Sequence, residues 1–438
     1  MIEIFSIFLS VFIFLLFFFF PLNNFNSYLF LNTKSLKLLN IFDFLLINII
    51  INLTFLLACS FFSINLILIF YLYLLLASIF FLYYAKKIFF LCYKNSLIIF
   101  FFLIIYYSLS VHVAADPSLT WDAAAHWMFK VQNYYQGGHY KNLFNVPFNH
   151  YPHLGSYIWA FFWKNSFLQL EYFGRFFYIF IFLVAIFSLV EQLNLTFSLI
   201  ERLLFILFIC YLSTNYFLFG GYQEYLLFFL LFSFSRIFIL SQSIKVGKCN
   251  LFFFLLILIS NLILWTKQEG FFYYIFLNII YLIHANQNFK NKFNYIFISL
   301  IFLSLFFYIK INFFGSIVFQ PEEKGKFLQS MVSNLNILYL FKKIFLIIKY
   351  ILISIFKYPI CILILISSVI LNLKYNYFNK NKFLYTSLFL FVTLIFGIYI
   401  QTTLDTAFLL SVTLNRIIFG LSGFYIFILV EFLKVIKK

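Results

Sequence analysis

Residues 44–61 read FLLINIIINLTFLLACSF, a run of eighteen residues without a charged side chain. About 20 consecutive apolar residues span the hydrocarbon core of a bilayer as a helix, and runs of nearly this length recur along the 438-residue chain. The chain is 65% hydrophobic and 10% charged, with a mean hydropathy of +1.03. A soluble fold of this size leaves too much surface outside to bury so many apolar side chains. Lipid is therefore the expected solvent for most of the chain.

The apolar runs are continuous and do not alternate with polar residues, which favours helices over the strands of a barrel. We therefore predict an all-α, polytopic integral membrane protein that forms a single membrane domain over residues 1–438. The first span is expected to be retained, because no Lys or Arg precedes it and no small-residue cleavage site follows it. The predicted spans are residues 4–21, 44–61, 64–85, 92–112, 172–190, 203–219, 225–240, 251–266, 271–284, 294–311, 359–373, 383–400 and 417–433.

The net charge of +17 is spread over short lysine clusters between the apolar runs and forms no basic face, so nucleic acid is not predicted as a partner. Most clusters follow alternate spans, and the positive-inside rule assigns these loops to the cytoplasm. The loop 113–171 and the segment 312–358 then lie outside. The lysines at 342, 343, 349 and 357 in the second segment oppose this rule, and we interpret residues 335–357 as an interfacial amphipathic helix. If that helix spans instead, the topology after it inverts.

The exterior loop concentrates the polar chemistry of the chain. Residues 112–155 hold five of the six histidines and three of the six prolines. Asp122, His126 and Lys130 are spaced i, i+4 and i+8, so a helix places them on one face, where the carboxylate is suited to act as a general base. A solvated stripe on an interfacial helix is the alternative. Asp122 and His126 also have the spacing of two metal ligands on a helix, but no third ligand has zinc-type spacing. The binding of a divalent metal is therefore left as an alternative.

Further polar residues lie at the ends of distant spans that the predicted topology places outside. Glu224 follows a Gly-Gly turn, Lys267 and Glu269 flank a span end, and Arg416 begins the last span. Ionisable groups at bilayer depth are costly and tend to be functional, and Arg suits phosphate recognition. A lipid phosphate is the natural ligand. The alternatives are a helix-dipole charge for Glu224 and snorkelling side chains for the three others.

The segment 148–155, which reads FNHYPHLG, is rich in turn-forming residues. It is either a re-entry turn before an aromatic segment or a second wall of the same site, formed by His150 and Tyr151.

The stretch TWDAAAHWMFKVQNYY (120–135), the NHYPHLG turn (149–155), the sequence TKQEG (266–270) and Arg416 together resemble the GT-C-type polytopic membrane glycosyltransferases. This family includes protein O-mannosyltransferases and lipid A aminoarabinose transferases. The chain departs from the family in having four spans before the loop, where many members have one. It also contains no Asp-X-Asp pair, which puts metal dependence in doubt.

The resemblance implies an inverting transferase that takes a sugar from a polyprenyl-phosphate carrier to a glycan, lipid or protein acceptor, with its active site on the periplasmic face of a bacterial inner membrane. The catalytic aspartate corresponds to Asp122, or to Asp116 in a shifted alignment. The basic residues that hold the carrier phosphate correspond to Lys267 and Arg416. Glu224 and Glu269 would support those cations or line the acceptor site. The rival functions are a flippase for lipid-linked glycans and a glycan polymerase or ligase.

Overall fold

A computed structural model describes residues 3, 5–7, 39–62, 64–214, 219–243, 250–314, 337–400 and 405–437. The helices, in chain order, are α1 (Ile41–Ser60), α2 (Leu66–Lys94), α3 (Ser96–Ala115), α4 (Met128–Tyr135), α5 (Leu154–Lys164), α6 (Tyr172–Val190), α7 (Leu199–Ser213), α8 (Glu224–Ser243), α9 (Asn250–Leu264), α10 (Gly270–His284), α11 (Phe289–Phe314), α12 (Ile337–Lys357), α13 (Pro359–Tyr375), α14 (Tyr377–Lys380), α15 (Phe383–Ile400), α16 (Thr406–Leu409), α17 (Asn415–Tyr425) and α18 (Phe427–Ile436). Two π-helical turns, Ala123–Trp127 and Leu410–Leu414, precede α4 and α17.

Among the described residues, eight helical segments are long and apolar enough to cross a membrane, or nine if α12 and α13 form one bent span. This agrees with the predicted class, a helical and polytopic membrane protein. Most of the predicted span 4–21 lies outside the described residues. Three other predicted spans, 203–219, 251–266 and 271–284, correspond to α7, α9 and α10, which have only 15 residues each.

One predicted boundary is wrong. One predicted span ends at residue 85 and the next starts at 92, but α2 continues to Lys94 and α3 begins at Ser96. Lysine is a good helix former, and no Gly or Pro interrupts residues 86–94. The lysine cluster therefore lies within the last turns of a helix and does not form a loop.

The long helices run between two ends of the molecule, and polar contacts distinguish these ends. At one end, Arg236 of α8 donates two hydrogen bonds to the Asp43 carboxylate at the start of α1, which also accepts from Ser188 near the end of α6. We call this the opposite end. Glu224 begins α8 twelve residues before Arg236, about 18 Å away along the helix. We call the end that carries Glu224 the site end.

Helix α6 is the centre of the core. Its whole spanning window is buried, and it packs against α1, α3, α5 and α8. Helices α8 and α17 pack closely together, because Gly423 lets their backbones meet: a Cβ at that position would lie 2.3 Å from the Phe228 carbonyl oxygen. Small residues at helix interfaces allow such close approach in membrane proteins. This pair brings Glu224 and Arg416 to the same end.

Helix α12 covers most of the region predicted as an interfacial helix. It meets α13 at an angle of 102° across Tyr358, so the two do not form a straight span. Lys343 of α12 is buried and donates to the Ile400 carbonyl at the end of α15, 3.0 Å away. Residues 315–336 of the segment 312–358 lie outside the described residues.

Candidate active site

Five ionisable side chains from four separate parts of the chain meet at the site end. We call this group, Asp122, Glu224, Lys267, Glu269 and Arg416, the ion network. Arg416 Nη1 donates to Asp122 Oδ2, and Arg416 Nε lies 3.7 Å from Glu224 Oε1. Lys267 Nζ lies 3.0 Å from the same Glu224 oxygen and 3.9 Å from Glu269 Oε2. Glu224 therefore joins the two cations, and Arg416 connects them to Asp122.

Glu224 can occupy this central position because it is the first residue of α8, where the helix dipole favours a carboxylate. Its side chain is 1% exposed, and those of Lys267 and Arg416 are each 10% exposed. A buried charge costs several kcal/mol unless it is paired, and this pairing is present. The snorkelling interpretation is therefore wrong for Lys267 and Arg416, whose charged groups are buried in the network.

The charges around Lys267 also affect its pKa. Burial acts to lower the pKa of Lys267, but the neighbouring Glu224 and Glu269 carboxylates outweigh it and raise the pKa above its ordinary value. The Lys267 ammonium therefore keeps its positive charge at neutral pH. A retained cation is what the binding of an anionic group requires.

Three buried atoms of the ion network have no hydrogen-bond partner within the part of the chain that the structure describes. They are Glu224 Oε2, Glu269 Oε2 and Arg416 Nε. Buried polar atoms are normally hydrogen-bonded, and exceptions often mark catalytic or binding sites. The network therefore has both donor and acceptor capacity for a polar ligand.

Arg175 of α6 fixes the loop that leads to Asp122. This side chain is 1% exposed, and its guanidinium donates to the carbonyl oxygens of Pro117, Ser118 and Phe219 at 2.7, 3.2 and 3.3 Å. It also pairs with Glu171 at 3.0 Å. Arg175 is not among the predicted site residues, because it lies inside an apolar run. Its rarity was the available signal, since the chain contains four arginines and a charge inside such a run is costly.

The same loop is held against the Gly220–Gly221 turn that precedes α8. Thr120 donates to the Gly220 carbonyl through both its backbone N–H and its hydroxyl, at 3.0 and 3.1 Å. Gly221 has a φ of +101°, and a Cβ there would lie 2.5 Å from the Trp159 ring and 2.8 Å from Ala123 Cβ. Glycine is needed for this backbone conformation and for this close approach. The turn also presents Tyr222, whose ring lies 4.5 Å from the Arg416 guanidinium.

The prediction that Asp122, His126 and Lys130 share one exposed face is wrong for Lys130. Lys130 is fully buried, and its Nζ donates to the Tyr151 carbonyl at 2.6 Å. The reason is the π-helical turn Ala123–Trp127. Its i→i+5 bonds insert extra residues per turn, so the regular helical spacing does not hold between Asp122 and Lys130. The alternative of a solvated stripe fails for the same residue.

His126 lies beside the ion network in an aromatic setting. Its ring stacks on Tyr151 at 5.3 Å and meets Phe148 edge-on at 4.0 Å. Burial lowers its pKa, Asp122 opposes this effect, and Lys130, Arg416 and Lys267 reinforce it. The lowered pKa favours the neutral form of the His126 imidazole.

His150 and Tyr151 contribute their backbone carbonyls to a second cluster, which contains two buried lysines. Lys310 of α11 is buried and donates to the His150 carbonyl, while Lys130 takes the Tyr151 carbonyl. Burial together with Lys130 and Lys310 lowers the pKa of His150 to about 4. The backbone carbonyls of the segment 148–155 therefore hold two buried lysines beside the site.

Asp116, the alternative catalytic aspartate, is not part of the network. Its side chain is exposed and accepts a hydrogen bond from the Ser118 backbone N–H at 3.3 Å. Hydrogen bonds from Ser118 lower its pKa. Of the two loop aspartates, only Asp122 contacts the buried cations.

Within the described ranges, no group of three or more His, Cys, Asp or Glu side chains is arranged to hold a metal ion. The network carboxylates are instead interleaved with Arg416 and Lys267. Hydrogen bonds and charge pairing are therefore the chemistry that these residues offer directly.

Comparison of the chain with models of protein families, with curated proteins and with solved structures found no match.

Proposed function

We propose that this chain is a membrane glycosyltransferase of the GT-C type, which moves a sugar from a polyprenyl-phosphate carrier to a glycan, lipid or protein acceptor. Its active site would face the periplasm of a bacterial inner membrane. The observation that carries the proposal is the ion network, in which two buried cations and a loop carboxylate meet at the ends of apolar helices. Arg416 and Lys267 suit an anionic group that arrives from the lipid, and a lipid phosphate has both properties.

In the proposed reaction, an acceptor hydroxyl oxygen attacks the anomeric carbon of the donor. The bond from that carbon to the phosphate oxygen breaks, and the electron pair leaves with the phosphate. Asp122 takes the proton from the attacking hydroxyl as a general base. Arg416 and Lys267 stabilise the negative charge on the leaving lipid phosphate, and because they are fixed before the reaction, they need little reorganisation.

The Asp122–Arg416 pair suits this role, because one guanidinium has five N–H donors. Nη1 is used by Asp122, while Nε has no hydrogen-bond partner among the described residues. Arg416 can therefore orient the base through Nη1 and still has further N–H donors for a phosphate oxygen. Tyr222 packs on the face of the guanidinium and holds its plane.

The test compares two aspartates of the same loop. In a deletion strain complemented with each variant, glycolipids, glycans and glycoproteins are profiled by mass spectrometry. Asp122→Asn should abolish the modification that the intact gene restores, since a general base contributes roughly 10²- to 10⁴-fold to a rate. Asp116→Asn is the matched control and should restore it. Equal amounts of membrane-inserted protein are required for the comparison.

Two results would contradict the proposal in different ways. If Asp116→Asn loses the modification and Asp122→Asn restores it, the base is misassigned. If deletion changes no sugar-containing product at all, the proposed transferase function is wrong. Lys267→Gln adds an independent measurement: it should raise the donor concentration needed for transfer, because it removes a cation from the phosphate site.

A further inference from the structure

Helix α12 divides its surface into three stripes of different chemistry. One stripe is apolar and exposed: Phe341, Phe345 and Phe356 are 65%, 70% and 68% exposed, and Ile348 and Leu352 lie between them at steps of three and four residues. Residues at these steps share one helix face. The stripe has no protein cover within the described part of the chain.

The second stripe is buried and roughly opposite the first. Lys343, Ile347 and Ser354 are 4%, 0% and 1% exposed, and they face α13, α15 and α17 with the π-helical turn before α17. Lys343 belongs to this stripe and is held by the Ile400 carbonyl. The helix is therefore fixed in rotation by the protein.

The third stripe consists of Lys342, Lys349 and Lys357, which are all exposed. At 3.6 residues per turn they lie about a quarter turn from the apolar stripe, between that stripe and the buried one. A helix on the rim of a membrane protein has this division when protein lies on one side, hydrocarbon on the other and headgroups along the edge between them.

We propose that α12 lies along the membrane surface at the site end and that Lys342, Lys349 and Lys357 bind the phosphates of anionic phospholipids. The ligand is the lipid headgroup and not a single soluble anion, because the lysines are about 10 and 12 Å apart along the helix. Three ammonium groups so far apart reach separate headgroups, while the adjacent phenylalanines enter the acyl region. The proposal does not depend on the proposed transferase function.

A consequence concerns the site itself. Helix α12 packs against α17, which carries Arg416, and against the turn before it. Anchoring α12 to headgroups therefore sets the height of the ion network relative to the lipid phosphates. A lipid-bound substrate would meet Arg416 at a fixed depth.

The experiment counts lipids bound to the purified full chain in detergent by native mass spectrometry, with phosphatidylglycerol and phosphatidylcholine titrated separately. Each lysine near an anionic surface is worth about 1 kcal/mol, which is roughly a fivefold change in affinity. The triple variant Lys342→Gln, Lys349→Gln, Lys357→Gln should lose its preference for phosphatidylglycerol. The charge-preserving triple variant with arginine at the three positions is the matched control and should keep it.

Rising salt should weaken phosphatidylglycerol binding to the unsubstituted chain and leave phosphatidylcholine binding unchanged. Inorganic phosphate should compete no better than chloride at equal ionic strength. The proposal is overturned if the glutamine variant binds phosphatidylglycerol as the unsubstituted chain does. It is also overturned if inorganic phosphate displaces the lipid specifically, because the lysines would then form a small-anion site.

Discussion

Arg175 holds four oxygen atoms with a single guanidinium, namely three backbone carbonyls and one Glu171 carboxylate oxygen. Arg175→Lys keeps the charge but replaces a planar fork with a point donor, which cannot reach all four. A buried carbonyl left without a partner costs about 1–3 kcal/mol. We therefore expect a lower melting temperature in detergent, measured by intrinsic fluorescence or scattering, and loss of the Asp122-dependent modification.

Arg202→Lys is the control for that substitution. Arg202 pairs with the Glu191 carboxylate near the opposite end, and its side chain is 12% exposed. A lysine can still make a single ion pair, so a smaller change in melting temperature is expected. If Arg202→Lys destabilises the protein as much as Arg175→Lys does, the loop clamp is not a special feature of Arg175.

The histidines of the site region make stability depend on pH. The pKa of His150 is lowered to about 4, and those of His126 and His153 are also lowered, with burial as the largest cause in each case. Unfolded histidine has a pKa near 6.5, so between about pH 6.5 and pH 4 the unfolded chain binds more protons than the folded one. The free energy of unfolding therefore does not suffer from these histidines above pH 6.5, and it decreases as the pH falls from 6.5 toward 4.

The measurement is the melting temperature in detergent at pH 7.5 and pH 5. The unsubstituted chain should lose stability on acidification, and His150→Gln should lose less. His112→Gln, at an exposed histidine of α3, serves as the control and should leave the pH dependence unchanged. A His150→Gln protein with an unaltered pH dependence would show that this imidazole does not resist protonation.

At the scale of helices, the α8–α17 contact depends on Gly423. The Cβ of an alanine would lie 2.3 Å from the Phe228 carbonyl oxygen, so the two backbones must separate. Such overpacking costs about 1–3 kcal/mol. Since α8 begins with Glu224 and α17 carries Arg416, Gly423→Ala should lower the melting temperature and also weaken the Asp122-dependent modification.

Gly397 of α15 provides a matched control, because a Cβ there meets nothing within 4 Å. Gly397→Ala also replaces glycine by alanine within a helix, where alanine is favoured by about 1 kcal/mol. We expect an unchanged or slightly raised melting temperature. If both substitutions act alike, helix propensity and not helix contact governs the response at Gly423.

The helices also show which features the sequence could predict and which it could not. Long apolar runs predict spans because a bilayer tolerates little else, and Glu224, Lys267 and Arg416 stand out because charges at span ends are costly. Lys130 could not be placed, since the π-helical turn before it changes the helical phase and no residue pattern marks such a turn. The span predicted at 251–266 extends two residues past the end of α9 at Leu264, because Trp265 continues the apolar run into the turn.

For the whole molecule, the two ends have different chemistry. The opposite end contains the Asp43–Arg236 pair, which joins α1 to α8 at 2.7 Å. Both oxygens of the Asp43 carboxylate accept further hydrogen bonds, one from the Ser188 hydroxyl and one from the Asn40 backbone N–H. The site end contains a network in which three buried donor and acceptor atoms have no hydrogen-bond partner among the described residues. One end is therefore suited to stability and the other to binding, and the proposed function requires the site end to face away from the cytoplasm.

Labelling of single introduced cysteines in intact cells tests this orientation. His139 precedes the short helix Tyr140–Asn145 at the site end, and Gln268 follows the ion-network lysine; Asn288 lies in the exposed α10–α11 turn at the opposite end. A membrane-impermeant maleimide should label His139→Cys and Gln268→Cys in intact cells, but Asn288→Cys only after the membrane is opened.

The described native cysteines are buried or half-buried, and the unsubstituted chain gives the background. The positive-inside rule predicts this order because Lys290 and Lys292 follow Asn288 closely in the chain. Labelling of positions 139 and 268 from opposite sides would contradict the common site end, whereas labelling of position 288 alone would keep that end intact and place it in the cytoplasm, where the proposed carrier-dependent transfer does not apply.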